Sequence, residues 1–459
     1  MRWLTCLPTA LFLIAGCTRL DPPEQRGELV VAIRSTPGYF QEDEGNGFEH
    51  DLVVLFAHEL GVKARFEVTR DHAELLSLLK QGKVHFAAVT VTGEAAATGP
   101  AEALRYSSPL RKAGQMLVQQ TDTIPVDEVA DLKGKTIEVL AGSPQEARLQ
   151  MMNAKLPQFS LQAHTGMSEI DLLERVSQNK SELAATDASH FEIAQNFFPN
   201  LQVAQELAGS VNFAWAFTLE GNAALFQRAQ AFIGRITKDG TLAKINDRYF
   251  GHIRRINRNG ISIFLERIGT LLPHFRRDFL AAQEVTGIDW RLLAALAYQE
   301  SAWDPLATSF TGVRGIMMMT EETADSLHVE NRLDAKQSIA AGAKYLADLI
   351  SQLPAGAKQP DRSWLALAAY NLGQGHLNGA RAIALGLRKN PDSWYEMKQV
   401  LPLLERQQYY ERLKSGRGRG GEAVIMVENV RTYYDILRRF EPDYKSATYV
   451  APMLAIPPM

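Results

Sequence analysis

Cysteine is almost missing from this chain: the only two are Cys6 and Cys17, both near the N-terminus. The remaining chain has no pairable thiol, so disulfides are excluded and the fold must rest on its apolar core. Charge of one sign is missing as well. The 49 Lys and Arg nearly balance the 52 Asp and Glu, for a net charge of −3, and no long single-sign run occurs. That gives no footprint for nucleic acid. After the N-terminus there is no uncharged apolar run long enough to span a bilayer. What is present is the composition of a soluble globular protein, 46% hydrophobic and 22% charged over 459 residues, enough for about three domain-sized units.

The first residues read as an export signal. Arg2 supplies the positive start, and the mostly apolar Leu4–Gly16 is too short to cross a membrane. Leu13-Ile14-Ala15-Gly16-Cys17 resembles the lipobox of bacterial lipoproteins, which implies cleavage before Cys17 and lipidation of its thiol. The other reading is an ordinary cleaved signal with Cys17 incidental. Thr18 stands where lipoproteins retained at the inner membrane often carry Asp, so the resemblance implies the periplasmic side of the outer membrane. Attachment would be by the lipid or peripheral.

Residues 18–27 are polar and Pro-rich and read as a tether; 28–252 and 253–450 read as two further domains. In the first of these, strands and helices alternate. Leu29–Ile33, Lys63–Val68 and Phe86–Val91 are β-rich, while Asp51–Leu60 and Ala73–Leu79 carry helical patterns. Such alternation predicts an α/β domain with a mostly parallel sheet. From about Ile261 only helical patterns follow. They cover Phe264–Phe279, Trp290–Glu300 with Asp289 as N-cap, Glu321–Leu327, Ala335–Gln352, Ser363–Tyr370, Gly379–Leu387, Trp394–Leu404 and Val424–Arg439. Lys414–Gly421 reads as a flexible basic loop.

The α/β part resembles the family 3 periplasmic solute-binding proteins, a two-lobed fold. Gly47-Phe48-Glu49-His50-Asp51-Leu52, Tyr106-Ser107-Ser108-Pro109, Asp131-Leu132-Lys133-Gly134-Lys135 and Lys238-Asp239-Gly240-Thr241-Leu242 carry the resemblance. It implies a second lobe from near Asp131 and a return crossing near Val211. The arginine that clamps a ligand carboxylate in amino-acid binders is replaced here, since Thr92-Gly93-Glu94 runs into Ala95-Ala96-Ala97. Asp187 stands where the family often holds an α-amino group, or it is a solvated loop carboxylate. The resemblance therefore implies a peptide or muropeptide effector, or no ligand.

Glu300 is the most informative residue of the helical part. Leu293, Leu296, Ala297 and Glu300 are spaced three and four apart, so the carboxylate continues a core-facing stripe. Burial and the negative helix end both disfavour its ionised form. It is then either a working acid or a partner of Arg314 or Arg291. The surrounding phrases are Glu300-Ser301, Asp304-Pro305-Leu306-Ala307-Thr308-Ser309, Gly312-Val313-Arg314-Gly315-Ile316-Met317-Met318, Ala369-Tyr370-Asn371 and Glu422 with Met426-Val427. In this order they resemble the lysozyme-like domain of lytic transglycosylases.

That resemblance implies peptidoglycan as substrate, Glu300 as the catalytic acid, and Ser301, Ser309, Gly315, Met317, Tyr370 and Asn371 as saccharide-binding residues. Gly312 and Gly315 would let backbone approach a sugar closely, although core packing is the alternative for Met317. Met318 and Met426 replace a glutamine and a tyrosine of the family pattern, which implies altered groove contacts. Asp304 precedes Pro305 and orders a turn, so Glu300 has no partner acid in these phrases. Ordinary glycosidases use two carboxylates; the family uses one and leaves a 1,6-anhydro end, with neither metal nor cofactor. The alternatives are a goose-type hydrolytic lysozyme and a solute receptor with a silent lysozyme-like appendage.

Overall fold

The computed structural model describes residues 20–42, 45–93, 104–126, 128–155 and 158–444. Cys17 and the Glu94–Ala97 phrase lie outside the described residues. The chain folds as two compact units. The first holds residues up to Ile193 with Asn200–Tyr249; the second holds Ala194–Pro199 and the chain from Phe250 onward.

The first unit is built from α1 (Pro23–Arg26), β1 (Glu28–Arg34), α2 (Phe48–Glu59), β2 (Lys63–Thr69), α3 (His72–Lys80), β3 (Phe86–Gly93), β4 (Leu104–Tyr106), β5 (Arg111–Gln120), β6 (Thr136–Leu140), α4 (Pro144–Lys155), β7 (Ser160–His164), α5 (Glu169–Ser177), β8 (Leu183–Asp187), α6 (Ala188–Gln195), β9 (Leu201–Thr218), α7 (Ala223–Lys238) and α8 (Thr241–Phe250). Among the described residues the strands form one sheet in the order β2-β1-β3-β9-β5-β8-β6-β7, with β4 on β9. Its two wings are parallel, β2-β1-β3 and β8-β6-β7. The middle is antiparallel, because β9 runs against β3, β4 and β5. Leu29–Ile33 is buried throughout, as strands covered on both faces require. The sheet is thus more mixed than alternation alone predicts. The return crossing does fall where β9 takes up β3, at Val211 opposite Gly93. The outward crossing lies in β5, which already pairs β8 at Gln115–Val118, well before Asp131.

The second unit is helical: α9 (Arg258–Thr270), α10 (Leu272–Thr286), α11 (Trp290–Ser301), α12 (Glu321–Ser326), α13 (Ala335–Gln352), α14 (Asp361–Leu372), α15 (Gln374–Gly386), α16 (Trp394–Val400), α17 (Gln407–Tyr410) and α18 (Gly420–Phe440). Two helices read as continuous are broken, and proline is the cause. Pro273 starts α10, so Phe264–Phe279 spans two helices, and Pro402 turns the end of the Trp394–Leu404 run into a 3-10 turn. The helix α11 is buried on every side from Trp290 to Tyr298, which makes it the central helix rather than an amphipathic one. Its capping residue Asp289 accepts the backbone N–H of Arg291 at 2.9 Å.

The basic loop is not a loose connection. A Cβ on Gly420 would lie 1.8 Å from the Leu401 carbonyl oxygen, and one on Gly418 would lie 2.6 Å from the His376 ring. His376 bridges the carbonyls of Leu372 and Arg417 at 2.9 and 3.2 Å. Glycine at 418 and 420 therefore packs this segment down while its arginines stay exposed.

Candidate active site

Glu300 is the penultimate residue of α11, and the backbone beyond it is tightly fixed. Ala302 and Trp303 both take positive φ, 53° and 62°, a conformation that costs non-glycine residues energy and reverses the chain at once. Packing holds the turn. The Trp303 indole is buried and donates to the Ala294 carbonyl at 2.8 Å, while Arg267 donates to the Ala302 carbonyl at 3.2 Å. Phe264, Tyr298, Trp303 and Tyr433 close around it with ring centroids 4.4–5.5 Å apart.

The Glu300 carboxyl is half-buried, and no described residue hydrogen-bonds it or pairs with it. Burial alone pushes its pKa up to about 7. The negative end of the helix dipole acts in the same sense. The structural-pair reading is excluded. Arg291 is held by Asp289 at 2.7 Å and by Asp443 at 3.4 Å, and Arg314 is exposed in the following hairpin. A carboxyl with this pKa can donate a proton and then take one back at neutral pH.

Tyr370 stands beside it at the end of α14. Its phenol donates to the Met317 carbonyl at 2.8 Å, and its ring lies 5.3 Å from that of Tyr345. Burial, then the Glu300 charge, then Tyr345 drive its pKa well above the ordinary value, so it remains a neutral phenol. With its proton committed to Met317, its oxygen is left to accept a hydrogen bond.

The other predicted saccharide contacts are mostly scaffold. Ser301 Oγ lies 2.8 Å from the Ile316 carbonyl and 3.1 Å from that of Ala297, tying the helix end to the base of the hairpin. Ser309 Oγ accepts the N–H groups of Thr311 and Val313, both at 3.2 Å, so it braces its own turn. Gly315 has φ 84° and a Cβ there would lie 1.8 Å from the Arg332 carbonyl oxygen; the close approach is to the protein's own backbone, not to a sugar. The Met317 side chain is fully buried against Gly342, out of reach of a ligand. Met426 is also core, so its replacement of a tyrosine alters packing rather than groove contacts; Met318 is half-buried at φ 49°. Asn371 is exposed beyond Tyr370, and Asp304 accepts the Leu306 N–H at 2.9 Å, as a turn-forming aspartate does.

Sequence reading missed Ser338 and Tyr345. Ser338 accepts the Met317 N–H at 3.3 Å and Tyr345 packs on Tyr370. They are seven residues apart on α13, hence on one face, and that periodicity was the available signal. It also missed Glu428, a second buried acid of this unit. Burial would raise it, but Arg431 and Lys398 hold its pKa down at about 2, and the Trp394 indole donates to it at 2.6 Å. Glu428 is a structural anion. Among the described residues no three His, Cys, Asp or Glu side chains converge as a metal site.

In the first unit Asp187 is buried and committed within the chain. Oδ1 accepts the N–H groups of Ser189 and His190 at 3.0 and 3.2 Å, and Oδ2 lies 2.7 Å from His190 Nδ1. It is neither a solvated loop carboxylate nor an open acid waiting for an amine. Next to it Arg34 binds Glu169 at 2.6 Å. Burial would raise Glu169, but Arg34 and His190 hold its pKa at about 2. Tyr39 stacks on His190 and Phe213 at 5.1 and 5.3 Å. The cleft bounded by Arg34, His72, Gln145, His164, Glu169 and Asp187 has a cavity volume of ≈ 20 Å³ for the centres of water-sized spheres. That is room for about one water. Buried Arg34 Nε makes no hydrogen bond there, and Glu169 Oε2 and His190 Nε2 face each other at 3.8 Å, too far for one, so ordered water or a polar ligand would relieve these groups.

Two family models match the chain: bacterial extracellular solute-binding proteins, family 3, over residues 29–252, and the transglycosylase SLT domain over residues 278–391, a span that includes Glu300 and Tyr370. The chain therefore joins a solute-binding-like α/β domain to a helical, lysozyme-like SLT domain. Proteins named membrane-bound lytic murein transglycosylase F match it nearly end to end. That of Nitrosospira multiformis is 40% identical, covering 97% of this chain and 94% of the relative, and that of Pseudomonas fluorescens (strain Pf0-1) is 37% identical over 95% and 90%. This chain belongs to the membrane-bound lytic murein transglycosylase F family, and it is a lytic transglycosylase. Among solved structures, a mutant of ArgBP from T. maritima has a TM-score of 0.44 at 20% identity, covering 50% of this chain and 97% of its own. The GluR0 ligand-binding core from Nostoc punctiforme has a TM-score of 0.42 at 18% identity, over 48% and 99%.

The isolated carboxyl has a cost that stability measurements will read. The folded Glu300 pKa of about 7 lies above the ordinary glutamate value of 4.5, so the folded state holds the extra proton between these values. Stability is therefore lost as pH rises through that window. The full shift corresponds to about 3 kcal/mol, and partial exposure reduces this to roughly 1–2 kcal/mol. Glu300→Gln should be more stable than the wild type by that amount at pH 8 and equal to it at pH 4. Urea unfolding at both pH values, followed for the second unit, checks this; equal stability at pH 8 contradicts the unpaired, desolvated carboxyl.

Proposed function

We propose that Glu300 alone performs both proton transfers of peptidoglycan cleavage between N-acetylmuramic acid and N-acetylglucosamine. The observation that carries this is a half-buried carboxyl without a partner, at pKa about 7, beside a neutral phenol. In the protonated form it gives its proton to the bridging oxygen as the bond to the muramyl anomeric carbon breaks. As the carboxylate it removes the proton from the muramyl C6 hydroxyl, whose oxygen then bonds the anomeric carbon. The product is a 1,6-anhydro end, and the acid returns to its starting state. Tyr370, whose phenol oxygen is left to accept a hydrogen bond, and exposed Asn371 contact the saccharide. Residues 253–450 carry this chemistry.

The first unit, residues 28–252, we infer to be a sensor whose lobes close on a peptide or muropeptide from the wall, with closure altering turnover. A ligand that prefers one lobe arrangement suffices for such control. The unmet polar atoms around Arg34 and Glu169 support a polar ligand there. Among the described residues no helix is long and apolar enough to cross a membrane. Lipidation at Cys17, on the periplasmic side of the outer membrane, supplies the attachment in this reading.

Glu300→Gln should lower turnover of sacculi by at least ~100-fold, and wild-type products should carry ends one water lighter than reducing ends by mass spectrometry. Because the acid must start protonated, kcat/KM should fall as pH rises through about 7. Reducing ends as the main product would identify a hydrolase instead. For the sensor, titrating wall-derived tetrapeptides and muropeptides should change turnover of the full chain, and Arg34→Met should abolish that response; turnover indifferent to every such ligand contradicts the sensor.

A further inference from the structure

The hairpin after Glu300 carries a feature that neither the fold nor the proton transfers require. Phe310, at its tip, is 96% exposed, the most exposed large apolar side chain among the described residues, and Leu306 on the same hairpin is 67% exposed. Exposed apolar side chains on a mobile loop would be unremarkable. This hairpin is braced. The Ser309 N–H donates to the Val313 carbonyl at 3.0 Å and the Gly312 N–H to the Ser309 carbonyl at 3.1 Å. Ser309 Oγ accepts two further N–H groups, and Arg332 donates to the carbonyls of Gly312 and Met319 at 3.0 and 3.2 Å. Bridges join Thr308 to Arg314 and Arg314 to Met319.

The base of the same hairpin is fixed to the acid. Ser301, next to Glu300, bonds the Ile316 carbonyl at 2.8 Å, and Gly315 donates to the Ala307 carbonyl at 2.9 Å. Phe310 is six positions before Ile316, so its backbone sits at most about 20 Å from that tether. Arg314 lies in the hairpin, exposed and without an acidic partner among the described residues. A rigid arm therefore holds an apolar ring near the acid, with an unpaired cation beside it. A long polymer with apolar sugar faces and periodic carboxylates fits both features.

We propose that Phe310 is an outer glycan-strand contact, stacking on the face of a sugar ring beyond those flanking the cleaved bond, and so favours long strands over short fragments. This rests on the proposed function, and it predicts a dependence on chain length that the proton-transfer chemistry does not.

Binding to full-length protein carrying Glu300→Gln, which leaves strands uncut, tests it. Phe310→Ala added to that variant should weaken binding of long, peptide-free glycan strands about tenfold, as loss of one well-buried aromatic contact does. Binding of a tetrasaccharide should change less than about twofold, against the tenfold that losing such a contact gives. Phe310→Trp should restore long-strand affinity. Unchanged affinity for long strands overturns the contact, and equal loss for strands and tetrasaccharide overturns its outer position. Loss confined to strands that keep their stem peptides assigns the ring to peptide and overturns the sugar stack. Failure of the function itself reads out separately, as absence of anhydro ends from wild-type digests.

Discussion

Desolvation of one carboxyl without a compensating cation organises the second unit. Glu300 can stay unpaired only because the helix that carries it is buried from Trp290 to Tyr298 and cannot shift to bring the side chain into solvent. The same helix must then stop within two residues, and it does so through two left-handed residues held down by the Trp303 indole. Ser301 hangs the next hairpin from the helix end, and Tyr370 closes onto Met317. Each of these contacts is ordinary packing or hydrogen bonding. Together they hold an acid where its proton is poised near neutrality.

The other perturbed acids show why the value alone does not make a site. Glu49 is also pushed up to about 7 by burial, but it has no exposure and receives the Trp215 indole at 2.9 Å. A substrate oxygen cannot reach it. Glu428 and Glu169 lie near 2 because arginines sit against them, which makes them anchors for their units. Only Glu300 among these combines a raised pKa, partial exposure and no partner. Strongly shifted groups occur in structural networks as well as active sites, and accessibility separates the two.

Much of this was legible in the sequence because it depends on local pattern. The α/β and helical halves follow from hydrophobic periodicity, and Glu300 from its place on an apolar helix followed by Asp304-Pro305. What the sequence could not reveal is direction. Gly315 reads as a residue permitting close approach, and it is one, but the approaching group is the Arg332 carbonyl. Met317 contributes through its backbone, donating its N–H to Ser338 and accepting from Tyr370, and no side-chain pattern encodes that. Asp187 reads as a ligand acid or a solvated loop carboxylate, yet it is buried and His190 three residues later already occupies it. Lys414–Gly421 has the composition of a flexible loop, but Gly418 and Gly420 serve tight packing.

The central claim is that Glu300 is a carboxyl titrating near neutrality because it is desolvated and unpaired. Carbon-13 NMR of glutamate side chains, compared between wild type and Glu300→Gln across pH 3 to 9, follows that group directly. The account predicts one carboxyl resonance, absent from the variant, that titrates at about 7. A Glu300 resonance titrating near the ordinary glutamate value of 4.5 would contradict it.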